Sequence, residues 1–339
     1  MLPVLEYMAR GDDAEDLIKG LLPAIGLCQV FGEPSCGKTP FVMSACFAVA
    51  GTVEWWHGLR VRRHGTVIYV VGEGEGGMRK RLRAMGQATG ISLESIQETL
   101  HLTTAPMALS EPADVARWIT EMSKLDDVVL VVFDTLSANF GSGNESDTKD
   151  MNAVVAALGH VKRELGACVV LTHHPGQQNK DRGRGSSVLP GALDVDIRVV
   201  KTENEVAAFL RKGRDADTTS TTPVVRGHLE VVTLGQDDEG DPITSVALVE
   251  PSTFTSMNDL TDIERMVFDA VSSGHRTASE IERDPDLAIG RRRAVRTLER
   301  LTDLGLLRMT TQEPDAGGRS AAQFEVSTLG GTEGSELLS

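Results

Sequence analysis

No apolar stretch in the 339 residues approaches the length of a membrane span, and no signal peptide or anchor is recognisable, so the chain reads as a soluble protein without a membrane partner. Cysteine is scarce as well. Cys28, Cys36, Cys46 and Cys168 stand far apart without metal-ligand spacing, which excludes a Cys-based metal cluster and fits reduced thiols in a cytoplasmic protein. Cations are the minority charge: 34 Lys and Arg against 49 Asp and Glu leave a net charge of −15, which excludes a broadly basic nucleic-acid coat. Yet acids gather locally, at Asp12 to Asp16, Glu145 to Asp150 and Asp237 to Asp241, so a basic channel or helix is compatible with that total. The remainder, 40% hydrophobic and 24% charged, suits one large globular domain plus a small one.

Against these absences stands one dense motif. Val30 to Thr39 reads Val-Phe-Gly-Glu-Pro-Ser-Cys-Gly-Lys-Thr and fits G-x-x-x-x-G-K-[ST] after an apolar run, Ile25 to Phe31. Gly32 and Gly37 let the backbone turn tightly enough for successive N–H groups to face an anion. The stretch Gly32, Glu33, Pro34, Ser35, Cys36, Gly37, Lys38, Thr39 and Pro40 is therefore expected to hold ATP. Lys38 reaches the β- and γ-phosphates, the Thr39 hydroxyl ligates Mg²⁺, and the following helix directs its positive end at the phosphates. Pro40 is tolerable because the first helical turn has N–H groups without intrahelical partners.

From Leu27 onward, Val- and Ile-rich runs alternate with helical patterns, giving an α/β fold with a mostly parallel sheet flanked by helices. Strands are expected at Leu27 to Phe31, Thr66 to Val71, Leu100 to Thr103, Val128 to Phe133, Ala167 to Leu171 and Val195 to Val200. Helices are expected at Lys38 to Ala50, Gly76 to Thr89, Ala113 to Lys124 and Met151 to Leu165. Past Val200, strand-and-turn segments (Val206 to Leu210, Val224 to Leu234, Ser245 to Val249) look like an antiparallel extension of the sheet edge. The organisation expected is an ATPase domain over 1–250, a linker over 251–259, a winged helix-turn-helix domain over 260–328 and a frayed tail over 329–339. In the small domain Thr261 with Glu264 and Thr277 with Glu280 form capping boxes for two helices. A third helix from about Ile289 to Leu304 precedes a hairpin, Leu306 to Thr311 and Ala322 to Ser327, turning at Gly317 and Gly318.

Further motifs fall at the carboxyl ends of strands, where α/β sheets bind ligands. Val128 to Phe133 runs into Asp134, the arrangement of a Walker B carboxylate that holds Mg²⁺ through water. Thr66 to Val71 delivers Gly72-Glu73-Gly74-Glu75, and either acid at that edge is suited to polarising a water. Cys168 to Leu171 leads into Thr172-His173-His174, where one histidine is suited to sensing the γ-phosphate. The polar loop Pro175 to Gly185 carries Arg182 and Arg184, and is expected to be mobile and to touch nucleic acid or a neighbouring subunit's nucleotide.

Gly-Leu-Leu-Pro, Tyr-Val-Val-Gly-Glu-Gly, Val-Phe-Asp-Thr-Leu, Leu-Thr-His-His and Arg-Gly-Ser-Ser occur in that order around the phosphate loop. Over roughly Lys19 to Leu234 the chain resembles the RepA-like branch of the RecA-type hexameric helicases of plasmids and phages. The resemblance implies a RecA-like core, Glu73 as catalytic base, Asp134 as Walker B carboxylate, His174 or His173 as sensor, and Arg184 as an arginine finger serving the adjacent subunit. Lys212-Gly213-Arg214-Asp215 resembles the Lys-x-Arg element of related replicative helicases, making Arg214 a second finger candidate behind Arg184. Cys36 and Pro40 depart from the usual loop, and a C-terminal winged helix is no part of the helicase pattern.

The third helix of the small domain carries Arg291, Arg292, Arg293, Arg296 and Arg300, with Glu299 the acid among them. Arg292, Arg296 and Arg300 recur at i+4, a stripe expected opposite Val295, Leu298 and Leu301 and suited to DNA phosphates or the major groove. The leading expectation is a Mg²⁺- and ATP-dependent DNA motor, a homo-oligomer expected as a hexameric ring, with single-stranded DNA passing through it and duplex on the winged helix. The alternative is an ATP-switched regulator or loader that binds duplex without unwinding it.

Overall fold

The computed structural model describes residues 3, 6, 16–72, 75–176, 183–213, 222–250, 260–303, 306–312 and 321–326. Glu73 and Gly74, Arg182, Arg214 and Asp215, the expected linker 251–259, the turn at Gly317 and Gly318, and the tail 329–339 lie outside the described residues. The chain divides into two compact units, one ending at Val249 and the other beginning at Glu250.

In the first unit, β1 (Asp16–Ile18) pairs with β2 (Leu22–Pro23), and β4 (Trp55–Trp56) with β5 (Leu59–Arg60), as small antiparallel ribbons. The main sheet is built from β3 (Gly26–Phe31), β6 (Thr66–Val71), β7 (Leu100–Leu102), β8 (Val128–Asp134), β9 (Cys168–His173), β10 (Val195–Thr202), β11 (Glu205–Lys212), β12 (Val225–Gln236) and β13 (Pro242–Val249). Its nine strands run in the order β13-β12-β11-β10-β3-β9-β8-β6-β7. Every pairing from β10 to β7 is parallel, whereas β10, β11, β12 and β13 pair antiparallel, forming the extension that the strand-and-turn texture indicates.

The parallel strands read as unbroken apolar runs because both faces are buried. Along β6, Val67, Tyr69 and Val71 enter one core with Phe41 and Phe47 of α1 (Lys38–Ala50), while Ile68 and Val70 enter the opposite core with Phe133, Leu158 and Val161. The helices α2 (Glu75–Thr89), α3 (Pro112–Met122), α4 (Leu136–Asn139), α5 (Thr148–Leu165) and α6 (Val188–Ala192) complete this unit. Helix α5 starts three residues before the apolar periodicity, because the Asp147 carboxylate accepts the N–H groups of Lys149 and Asp150 and caps a polar first turn. Helix α3 begins on Pro112, whose missing N–H costs nothing at a first position, and stops at Met122 rather than Lys124. Among the described residues, no helix is long and apolar enough to cross a membrane. All four cysteines are free and buried.

The second unit contains α7 (Asp262–Ser272), α8 (Ala278–Arg283) and α9 (Arg291–Asp303), with β14 (Leu307–Gln312) and β15 (Ala321–Val326) paired antiparallel. Its core gathers Val267, Ile281, Ala294, Leu298, Leu301, Leu307 and Phe324. Thr261 and Thr277 each accept a backbone N–H at the third helical position, and Glu264 and Glu280 reach back to the caps, so both capping boxes are formed. One sequence expectation is corrected here. Val295 does not face the core; it is 37% exposed, and Ala294 takes the buried position beside Leu298 and Leu301. A register one residue earlier packs α9 equally well by spacing, and it puts the small Ala294 side chain in the core with Leu298 and Leu301.

One polar pair is buried between β3 and β10: Gln29 Nε2 donates to Asp196 Oδ1 at 2.9 Å. Burial raises the Asp196 pKa from 3.8 to about 6, against the lowering effect of Gln29, Arg211 and Lys212. A carboxyl whose folded pKa is raised holds its proton more tightly when native, so stability is lost as pH rises from about 4 through 6. Asp196→Asn should therefore raise stability by about 3 kcal/mol above pH 7, by roughly half of that at pH 5 and by nothing measurable near pH 3, below both pKa values. Thermal unfolding of both proteins across that range checks it; an equal offset at all three pH values contradicts it.

Candidate active site

The phosphate loop leaves β3 at Phe31 and enters α1 at Lys38. A Cβ on Gly32 would stand 2.3 Å from the Val199 carbonyl oxygen of β10, so only glycine fits that approach. Gly37 has φ +96°, a left-handed conformation open to glycine, and it directs the backbone into the helix. Glu33, Pro34 and Ser35 are exposed along the loop, while Cys36, Gly37 and Lys38 are buried and Thr39 and Pro40 lie between these extremes. Burial pushes the Cys36 thiol up. The Lys38 ammonium donates to the carbonyl oxygens of Gly32 at 2.8 Å and Glu33 at 2.9 Å, folded over the loop where an anion's oxygens would compete for it.

Asp134, at the end of β8, is the point where the surrounding elements converge. It is 6% exposed and takes hydrogen bonds from three hydroxyls on three different elements. Thr39 of α1 donates to Oδ2 at 2.8 Å, Tyr69 of β6 donates to Oδ2 at 2.6 Å, and Thr172 of β9 donates to Oδ1. Burial, then the charge of Asp134, pushes the Tyr69 phenol well above its usual range, so it remains a donor. A hydroxyl and a carboxylate oxygen 2.8 Å apart at the mouth of a phosphate loop are the hard-oxygen donors that Mg²⁺ takes, so these residues fit the ion.

The histidines separate. His173 is fully buried at the end of β9, and its Nε2 donates to the Arg184 carbonyl at 2.9 Å. Burial lowers its pKa, so it is a neutral imidazole. Its own carbonyl accepts the Gly32 N–H at 3.4 Å, and the Arg184 N–H returns to the His174 carbonyl at 2.9 Å. His173 thus links the first glycine of the phosphate loop to the Arg184 backbone. His174 is half-buried beside it. The Arg184 side chain is held within its own chain: Nε reaches Glu145 Oε2 at 2.6 Å, Nη2 reaches Glu145 Oε1 at 3.1 Å and the Ser137 hydroxyl at 2.7 Å. Burial alone would raise the Glu145 carboxyl, but the Arg184 and Ser137 hydrogen bonds outweigh it and hold the group below its usual value.

The described part of the expected mobile loop is pinned, with Pro175 bridged to Gly183. Between the phosphate loop and β10 lies a cavity of about 280 Å³ lined by Glu33, Pro34, Cys36, Pro175, Arg198 and Lys201. Glu73 and Arg214 lie outside the described residues, and Lys212 donates to the Pro190 carbonyl at 3.0 Å. The five arginines of α9 belong to the second unit, and all are exposed. Sequence reasoning missed Tyr69, Thr172, Glu145 and Ser137. The first two carry a weak signal, a hydroxyl inside an otherwise apolar strand ending at the same sheet edge as Asp134.

A phosphate loop whose threonine meets a Walker B carboxylate on a parallel sheet defines a P-loop ATPase of α/β fold. The model of the AAA domain family matches residues 2–180, more than half of the 339-residue chain, and the chain belongs to that family. No curated protein matches the sequence. Among solved structures, the ATPase domain of G40P is similar at 14% identity and a TM-score of 0.46, covering 71% of this chain and 95% of that one.

Tyr69→Phe removes one donor from the buried Asp134 carboxylate while keeping the ring. It should cost about 1–2 kcal/mol of stability, read as a lower Tm, and weaken nucleotide binding more with Mg²⁺ present than without it. Titration of a fluorescent nucleotide with and without the ion tests this, and equal weakening in both would sink it.

Proposed function

We propose that this chain is a ring-forming, RepA-like DNA motor that hydrolyses ATP with Mg²⁺ to translocate on or unwind DNA in replication of a mobile element. The observation that carries the ATPase part is the meeting of Thr39 and Asp134 at 2.8 Å beside the Lys38 ammonium. The motor part rests on the five ordered motifs and agrees with membership of the AAA domain family. In this reading Lys38 leaves the Gly32 and Glu33 carbonyls for the β- and γ-phosphates, and Thr39 and Asp134 hold Mg²⁺. The bound ion neutralises charge on the phosphate oxygens. Glu73 is the proposed base that orients and deprotonates water, with Glu75, at the start of α2, its alternative. His173 is favoured over His174 as sensor, because its backbone touches the phosphate loop and its ring touches Arg184. Arg184, or Arg214, serves as the finger that stabilises transition-state charge in a neighbouring subunit.

A second reading is an ATP-switched duplex-binding regulator, supported by the exposed arginines of α9 on a compact three-helix and hairpin unit consistent with a winged helix. Steady-state ATP hydrolysis across protein concentrations, with Lys38→Ala as the blank and with single-stranded or duplex DNA added, separates the two. The motor requires specific activity that rises cooperatively with concentration, as a finger in trans demands, and stimulation by single strands. Arg184→Ala should lower kcat by about 10³-fold or more without loss of nucleotide affinity. Concentration-independent turnover indifferent to single strands, with tight duplex binding, favours the regulator.

A further inference from the structure

The register of α9 changes what its solvent face is made of. Arg291, Arg292, Val295, Arg296 and Glu299 follow one another at spacings of one and three residues along one side of the helix, and all are exposed. The buried side is Ala294, Thr297, Leu298 and Leu301. The charge is also graded along the helix. Its first six residues contain four arginines and no acid, whereas Arg300 near its end approaches Glu264 of α7 at 3.9 Å. The acids of this unit lie elsewhere for the most part, at Asp262, Glu264, Glu280, Glu282, Asp284 and Asp286 on and after α7 and α8. A polyanion is the partner that such a segregated cationic helix end attracts.

A face built only to hold phosphates would be uniformly basic, and this one is not. Val295, 37% exposed, gains nothing from a phosphate, and Glu299 one turn further is repelled by it. Base edges in the major groove offer what these side chains can use: guanine O6 and N7 for arginine, the thymine methyl for an apolar side chain, and the cytosine N4 amino group for a carboxylate. We infer that the second unit reads the sequence of duplex DNA through this mixed face, with Arg292 and Arg296 on guanine, Val295 on a thymine methyl and Glu299 as a cytosine acceptor. The inference rests on the duplex contact proposed above for α9 and adds that the contact is sequence-selective. The motor or switch in the first unit thereby acquires an address on the DNA.

The test uses the full chain and a pool of random-sequence duplexes. Repeated selection at about 0.15 M salt, close to physiological screening, should recover a common site containing guanine and thymine. Replacing its critical thymine by uracil deletes only the methyl group. That change should weaken the native chain about three- to fivefold and leave Val295→Ser, which presents a hydroxyl in place of the apolar group, unchanged. Val295 is exposed, so its truncation keeps the core, and concentration-dependent ATPase activity of the same preparation reports that the first unit is intact. Equal affinity for thymine and uracil duplexes overturns the role of Val295. Duplex binding with no recovered site overturns sequence reading while leaving phosphate contact by α9 standing. Absence of duplex binding, with a protein partner retained on the α9 face instead, overturns both that contact and the inference. A loss of concentration dependence in the ATPase bears on the ring alone.

Discussion

A buried carboxylate is tolerated only when its lone pairs are occupied, and Asp134 meets that demand by collecting hydroxyls from three elements that are distant in sequence. Thr39 lies at the start of α1, Tyr69 within β6 and Thr172 at the end of β9, so satisfying this one group ties the phosphate loop to three strands of the parallel sheet. The arrangement also prepares the ion site. Oxygens that must gather around a buried charge are of the hard kind that a divalent cation selects, so Thr39 and Asp134 would suit such an ion.

Much of the first unit is legible in the sequence because parallel strands buried on both faces leave a plain trace, a run of Val and Ile ending in a polar residue at the ligand edge. Val128 to Asp134 and Thr66 to Val71 are of this kind. The phosphate loop is legible for a stronger reason. Its glycines answer steric demands, a carbonyl 2.3 Å from any Cβ at residue 32 and a left-handed φ at residue 37, that few other sequences satisfy. The hydroxyl cluster is less visible, since Tyr69 and Thr172 are also good strand formers and periodicity cannot separate a donor from a packing residue. The partner of Arg184 is invisible for another reason: Glu145 lies 39 residues away, in an acid-rich stretch that reads as solvated surface.

Helix α9 illustrates how local pattern underdetermines a face. Ala294 and Val295 are neighbours, each spaced by three or four residues from Leu298, so two apolar stripes are possible on the helix. Tertiary packing chose the stripe with the smaller residue, and the larger one was left among the arginines. Hydrophobicity alone predicts the opposite, because burying valine removes more apolar surface than burying alanine. The choice is intelligible when a close approach of α9 to its neighbours buries Leu298 and Leu301 completely and Val295 has a task on the outside.

The grip of Glu145 on Arg184 bears on whether that arginine can serve a neighbour. Bidentate geometry favours the pair, yet the Arg184 side chain remains 46% exposed, and ion pairs open to solvent contribute only about 0–1 kcal/mol because water screens them. A triphosphate approaching from an adjacent subunit presents several charged oxygens in a drier setting, where each charge-assisted hydrogen bond is stronger than its surface equivalent. In the proposed ring, exchange of Glu145 for phosphate would be favoured where a subunit boundary excludes water. In the single chain the guanidinium rests on Glu145 and Ser137, and the neutral His173 imidazole holds the Arg184 backbone beside the phosphate loop. In the proposed ring, an isolated subunit thus keeps its finger folded on itself, and assembly supplies the competing anion that draws it out.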